Sequence, residues 1–103
     1  MRFGTGDPIR MGDGVRFHFT GWLDGFAGAK KFGTSRGRNP VEIYLGTIGV
    51  VPGWSEGANG MRPGEIRRLK IDPSKGFGEA GDPPAVPAGA TLYLELECLG
   101  PSH

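Results

Sequence analysis

Leu92-Tyr93-Leu94-Glu95-Leu96-Glu97-Cys98 alternates without a break, with leucine or cysteine at the even positions and tyrosine or glutamate at the odd ones. A period of two is that of a β-strand, so Leu92, Leu94, Leu96 and Cys98 belong to one face of a sheet and Tyr93, Glu95 and Glu97 to the other. The same pattern recurs upstream. Val15, Phe17 and Phe19 alternate with Arg16, His18 and Thr20, and Val41, Ile43 and Leu45 alternate with Glu42 and Tyr44. From Ile66 to Ile71, Leu69 and Ile71 point inward and Arg68 and Lys70 outward. Strands with one apolar and one polar face build an antiparallel, half-solvated sheet.

Between these strands one short segment reads as a helix. Pro52 suits a first helical position, where its missing N–H costs nothing, and Val51, Trp54, Ala58 and Met61 then share a face. Gly57 and Gly60 weaken it, each by roughly 1 kcal/mol relative to alanine in a helix interior, so the helix depends on packing against the sheet. The expectation is an α+β fold, a twisted antiparallel sheet or half-barrel wrapped around one short α-helix. A cavity opens at the helix entrance, with Trp54 as its floor. Phe19, Phe32 and Phe77 supply further apolar surface from separate segments, and no obvious nucleophile accompanies them.

The 103 residues support one domain, 1–103, with a modest core. Gly 20 and Pro 9 would signal disorder in a low-complexity tract, but here they punctuate hydrophobic segments throughout the chain. A net charge of +1 provides no strong field for nucleic acid or an anionic membrane. Lys30-Lys31, Arg67-Arg68 and Arg36-Gly37-Arg38 read as solvated faces, because acidic residues are interspersed. Cys98 is the only cysteine, which excludes an intramolecular disulfide and a thiolate metal cage and fits a small core residue. No apolar run is long enough to cross a bilayer and no leader pattern is present, so the expectation is a soluble monomer, leaning cytoplasmic. His18 and His103 are the only histidines and lie far apart, which counts against a metal site. A serine hydrolase needs a positioned histidine, and His18 falls on the outward positions of its strand; Gly4-Thr5-Gly6 lacks the lysine of a phosphate loop.

The order of these segments resembles the FKBP-type peptidyl-prolyl cis/trans isomerases, the macrolide-binding immunophilins, from Gly4 to Leu99. The resemblance is carried by Gly12-Asp13, His18-Phe19-Thr20-Gly21, Lys31-Phe32, Ser35-Arg36, Pro40 to Gly46 and Val50 to Gly57. Gly60-Met61, Gly64-Glu65, Ile71-Asp72-Pro73, Phe77-Gly78-Glu79 and Val86 to Leu92 complete it. No single tripeptide is specific; their collinear order is.

What the resemblance implies is catalysis of rotation about Xaa-Pro bonds in proline-containing peptides, with no cofactor and no metal. The catalytic set would be Phe19, Phe32, Val51, Trp54 and Phe77, with the prolyl ring over the Trp54 indole and the Val51 N–H holding a substrate carbonyl. Val41, Val50, Ala85, Val86, Leu94, Arg38 and Asp82 would bind substrate. The chemistry needs little else. Rotation about the amide faces a barrier of about 20 kcal/mol and breaks no covalent bond. An apolar pocket penalises the planar, polar ground state more than the twisted transition state.

Several positions depart from the family pattern. Gly33 stands where an aspartate is usual, and Phe77 where a tyrosine would hydrogen-bond a ligand carbonyl. Val41, Ala85 and Leu94 are smaller than the common residues. The departures imply a looser pocket, weaker macrolide binding and reduced catalysis. They also support an alternative, a non-catalytic module of the same fold that recognises a proline-containing partner segment. The Phe77–Thr91 stretch is too short for an inserted chaperone flap. The long Gly21–Phe32 loop carries Trp22 and Phe26, either as a partner surface or as a cap on the sheet. Only Met1-Arg2-Phe3 remain where the family has a first strand.

Overall fold

The alternating segments pair into one antiparallel sheet, and the Pro52 segment forms the helix in its concavity. The computed structural model describes residues 4, 6–47, 51–82 and 85–101; Met1, Arg2, Phe3, Thr5, Val50 and His103, which entered the sequence reading, lie outside the described residues. The elements run β1 (Gly14–Trp22), β2 (Lys31–Thr34), β3 (Val41–Tyr44), α1 (Pro52–Ala58), β4 (Ile66–Ile71) and β5 (Leu92–Pro101), with a 3-10 turn at Pro73–Lys75.

The five-stranded sheet has the order β2-β1-β5-β4, and β3 also pairs with β1. One edge of β1 is therefore shared. Gly14 to Phe17 pair with β3, Thr20 to Trp22 pair with β2, and β5 occupies the whole of the other edge. Ser35 closes the gap between the two short partners. Its buried hydroxyl accepts the Phe19 N–H at 2.8 Å, its own N–H donates to the Phe19 carbonyl at 2.9 Å, and Thr34 Oγ1 donates to the same carbonyl at 3.0 Å. The Phe19 backbone is thus fixed where no strand pairs with it on that side.

The inner face of the sheet is the core, as the alternation requires. Val15, Phe17, Leu92, Leu94, Leu96 and Cys98 are all buried there. Each leucine so buried contributes about 1.5–3 kcal/mol. Burial pushes the Cys98 thiol up from its ordinary value, which keeps it neutral and hydrophobic in the folded chain. The strand runs further than its alternation. Between Arg16, opposite Gly100, and Phe17, opposite Cys98, the extra residue Leu99 makes a bulge and stands exposed.

Two glycines set how closely the helix approaches the sheet. A Cβ at Gly53 would lie 2.6 Å from Ile71 Cγ2, and one at Gly57 would lie 2.6 Å from Leu69 Cδ2. Gly57 therefore weakens the helix for a packing reason. Gly60 does not weaken it at all, contrary to expectation: the helix ends at Ala58, and Gly60 turns the chain at φ 89° just beyond it. Met61 also lies past the helix, yet it is fully buried and its carbonyl accepts the Ile9 N–H at 2.8 Å. Ser55, buried on the helix, accepts the Gly46 N–H at 2.9 Å and ties α1 to the end of β3.

Arg67 corrects the reading of the Arg67-Arg68 pair as a solvated face. Its guanidinium donates to the Gly57 carbonyl at 2.8 Å and to Glu65 Oε2 at 2.8 Å, satisfying a carbonyl left open near the helix end. On the outer face Trp22 is buried, and the Phe26 ring stands edge-on to Tyr93 at 5.3 Å beneath the Arg68 guanidinium. Of the two readings of that loop, a cap on the sheet fits this packing. Among the described residues no helix is long and apolar enough to cross a membrane, and no cluster of metal-ligating groups occurs.

Replacing Gly53 with alanine isolates the close approach. Helix propensity alone predicts a gain of up to about 1 kcal/mol, whereas the collision with the stiff, buried Ile71 predicts a net loss of about 1–3 kcal/mol. Urea unfolding of Gly53→Ala decides between them, and a stabilised variant would show that helix and strand are not in register as described.

Candidate active site

The helix enters the concavity with Trp54 facing β1. The indole lies 5.9 Å from the Phe17 ring at 79° and 5.3 Å from the Phe19 ring at 55°. Phe17 is core, while Phe19 is only partly buried and borders open space. The indole N–H is buried and has no hydrogen-bond partner among the described residues. An unpaired buried donor costs about 1–3 kcal/mol, which is most readily tolerated at a functional site.

A cavity of about 160 Å³ sits over this indole. Phe19, Phe32, Val51 and Trp54 line it with Phe77, Leu92 and Leu94, so the wall that the described residues make is entirely apolar. Each wall residue arrives by a local device. Phe32 was expected in a loop but belongs to β2, where it is the extra residue of a bulge: Gly21 faces Gly33 and Trp22 faces Lys31. The bulge turns its ring beneath Gly21, where a Cβ would strike the Phe32 ring and lie 2.9 Å from Leu94 Cδ2. Phe77 follows the 3-10 turn, held by Gly78 N–H to the Pro73 carbonyl at 2.9 Å and Gly81 N–H to its own carbonyl at 3.1 Å. Val51 is the helix N-cap. Its carbonyl accepts the Trp54 N–H at 2.9 Å, while its own N–H has no acceptor among the described residues.

A second, more open groove of about 410 Å³ adjoins the first and shares Val51, Trp54 and Phe77 with it. Its other wall is Glu42, Ile43 and Tyr44 of β3 together with Thr47.

The structure therefore brings Phe19, Phe32, Val51, Trp54, Phe77 and Leu94 together around one space. Leu92 joins them and was missed by sequence reasoning; the same alternation that placed Leu94 on the inner face also places Leu92, one step earlier. Arg38, Val41, Asp82, Ala85 and Val86 line neither cavity. Arg38 and Ala85 are exposed, and Val41 is partly buried against the core. Asp82 and Val86 form a two-way antiparallel backbone bridge, 2.8 and 2.9 Å. The Val86 side chain is 2% exposed and is a core residue, because this bridge turns it inward. Val50 is outside the described residues.

The sequence model of the FKBP-type peptidyl-prolyl cis-trans isomerases matches residues 6–99. The chain belongs to that family. Peptidyl-prolyl cis-trans isomerase FKBP2 of Mus musculus is 43% identical over 91 residues, which cover 87% of this chain and 63% of FKBP2. The chain thus spans under two thirds of that relative. FK506-binding protein 1A of Aspergillus fumigatus is 43% identical over 96 residues, covering 91% of this chain and 82% of the relative. The crystal structure of AtFKBP13 superposes with a TM-score of 0.85 at 26% identity, over 97% of this chain and 87% of that one. The twisted antiparallel sheet and single helix of this FKBP-type chain accord with that likeness.

The cavity depends on the absence of a side chain at Gly21. Gly21→Ala displaces the Phe32 ring and the Leu94 methyls, at a cost of about 1–3 kcal/mol. A combined measurement of urea unfolding and of NOEs between Phe32 and Leu94 checks this; an unaltered stability with the same NOEs would contradict the packing.

Proposed function

We propose that residues 1–103 act as one peptidyl-prolyl cis–trans isomerase domain, with the small cavity taking the proline ring of an Xaa-Pro segment. The observation that carries the proposal is the cavity over Trp54 whose described wall is wholly apolar, with Val51, whose N–H has no acceptor among the described residues, in that wall, in a chain of this family. A planar amide is stabilised by resonance, which gives its C–N bond partial double-bond character and opposes rotation by about 20 kcal/mol. Xaa-Pro bonds isomerise in tens of seconds or longer unaided.

In this mechanism the proline ring packs over the Trp54 indole between Phe19, Phe32, Phe77 and Leu94. Burial strips water from the amide. The planar form, with the larger charge separation, loses more solvation than the twisted form, in which the nitrogen is pyramidal and the carbonyl less polarised. The Val51 N–H fixes a neighbouring carbonyl, so the peptide chain on one side of the bond is held while the other turns. No group needs to donate or accept a proton. Arg38, Val41, Asp82 and Ala85, which line neither cavity, are assigned only to contacts with the peptide beyond the residues that adjoin the proline.

Two features lower the expected efficiency. Phe77 brings no hydroxyl to a ligand carbonyl, and Gly33 leaves no carboxylate beside the cavity. The position tolerates one: a Cβ at Gly33 would sit 3.5 Å from Phe19 Cε2, an ordinary van der Waals distance.

NMR exchange spectroscopy on a short Xaa-Pro peptide tests the proposal. The protein accelerates cis–trans exchange, and Trp54→Leu removes most of the acceleration while retaining the fold. Peptide shifts without acceleration would instead establish a binding module. Macrolide affinity gives a separate check. Phe77→Tyr restores one hydrogen bond of roughly 0.5–1.5 kcal/mol, a tightening of about two- to tenfold, and Gly33→Asp adds to it. An isotherm unmoved by both changes would mean the pocket is misplaced.

A further inference from the structure

We infer that Glu42 gives this domain a charge preference: Xaa-Pro segments with a lysine or arginine next to the proline bind more tightly than those with an aspartate or glutamate. This rests on the assignment of the small cavity to the proline ring. That cavity is not closed on itself. Val51, Trp54 and Phe77 belong equally to the larger groove, so a peptide whose proline occupies the first space must leave along the second. Each residue of extended chain advances about 3.3–3.6 Å, and a groove of about 410 Å³ has room for a flanking side chain.

The groove's far wall decides what that side chain meets. Among the described residues that line the two cavities, Glu42 is the one with a formal charge at neutral pH; the others are apolar apart from Tyr44 and Thr47. Among the described residues Glu42 makes no ion pair, whereas Glu56, Glu65, Glu95 and Glu97 are each paired with a lysine or arginine. Arg16 stands opposite Glu42 in the β1–β3 register and offsets part of its field. Glu42 is exposed, so its attraction is screened over a Debye length of about 10 Å at 0.1 M salt. The preference is therefore modest, roughly two- to fivefold at low salt. Tyr44, half-exposed on the same wall, is the aromatic neighbour of Glu42 there.

Blocked peptides Ala-Lys-Pro-Ala and Ala-Pro-Lys-Ala, with their glutamate counterparts, test this by NMR titration of the ¹⁵N-labelled protein at low and high salt. Tighter binding of one or both lysine peptides is expected, weakening with salt, abolished in Glu42→Gln and reversed in Glu42→Lys. Equal affinities, a preference for glutamate, a wild-type preference that survives in Glu42→Gln, or no binding of any peptide would overturn the inference. Exchange rates measured on the same samples keep the isomerase proposal separate. Acceleration with equal affinities removes the inference alone, and a charge preference without acceleration removes the isomerase activity alone.

Discussion

The contact on which the site depends is the one between a helix without side chains on one stripe and the edge of the sheet. α1 has seven residues, too few to be stable in isolation. Its position comes from outside. Gly53 and Gly57, four apart, present bare backbone to Ile71 and Leu69 of β4, and Arg67 and Ser55 tie its end and its middle to β4 and to the turn after β3. With that stripe facing β4, Trp54 faces β1 and rests on Phe17 and Phe19. A helix displaced outward by a side chain at either glycine would carry the indole with it, and the cavity has no other floor.

Much of this was legible in the sequence because strands advertise their faces. The unbroken alternation of Leu92 to Cys98 named the inner face of β5, and shorter alternations did the same for β1, β3 and β4. Trp54 stood out between glycines at a helix start. What period-two reasoning cannot register is a slip of one residue. Phe32 and Leu99 are the extra residues of bulges, and a bulge leaves no mark on the alternation. Leu99-Gly100-Pro101 continues β5 past the alternation, with Gly100 at a φ of 102° within the ladder. The roles of Arg67 and Val86 were hidden for a different reason. Each is set by a partner distant in space or by a backbone bridge, and nothing local distinguishes a solvated arginine from one that closes a helix.

The site divides by polarity. Among the described residues, the walls of one compartment are apolar side chains. The adjoining compartment is open and mixed, lined by β3. A proline and its neighbour would thus meet different environments a few ångströms apart, one selecting for shape and the other for charge.

The shared edge of β1 also governs when the pocket can exist. β1 is completed on one side by β2 and β3, close in sequence, but its entire other side belongs to β5, so residues 15–22 wait for residues 93–101. Contacts spanning most of the chain carry the largest loop-closure cost and slow folding. Leu92 and Leu94, the last walls of the cavity, arrive on that same strand. During synthesis, then, Trp54 and its aromatic neighbours remain an open apolar surface until β5 emerges. The cavity is defined only once β5 has paired with β1, and any partner that recognises it encounters a sheet that β5 has completed.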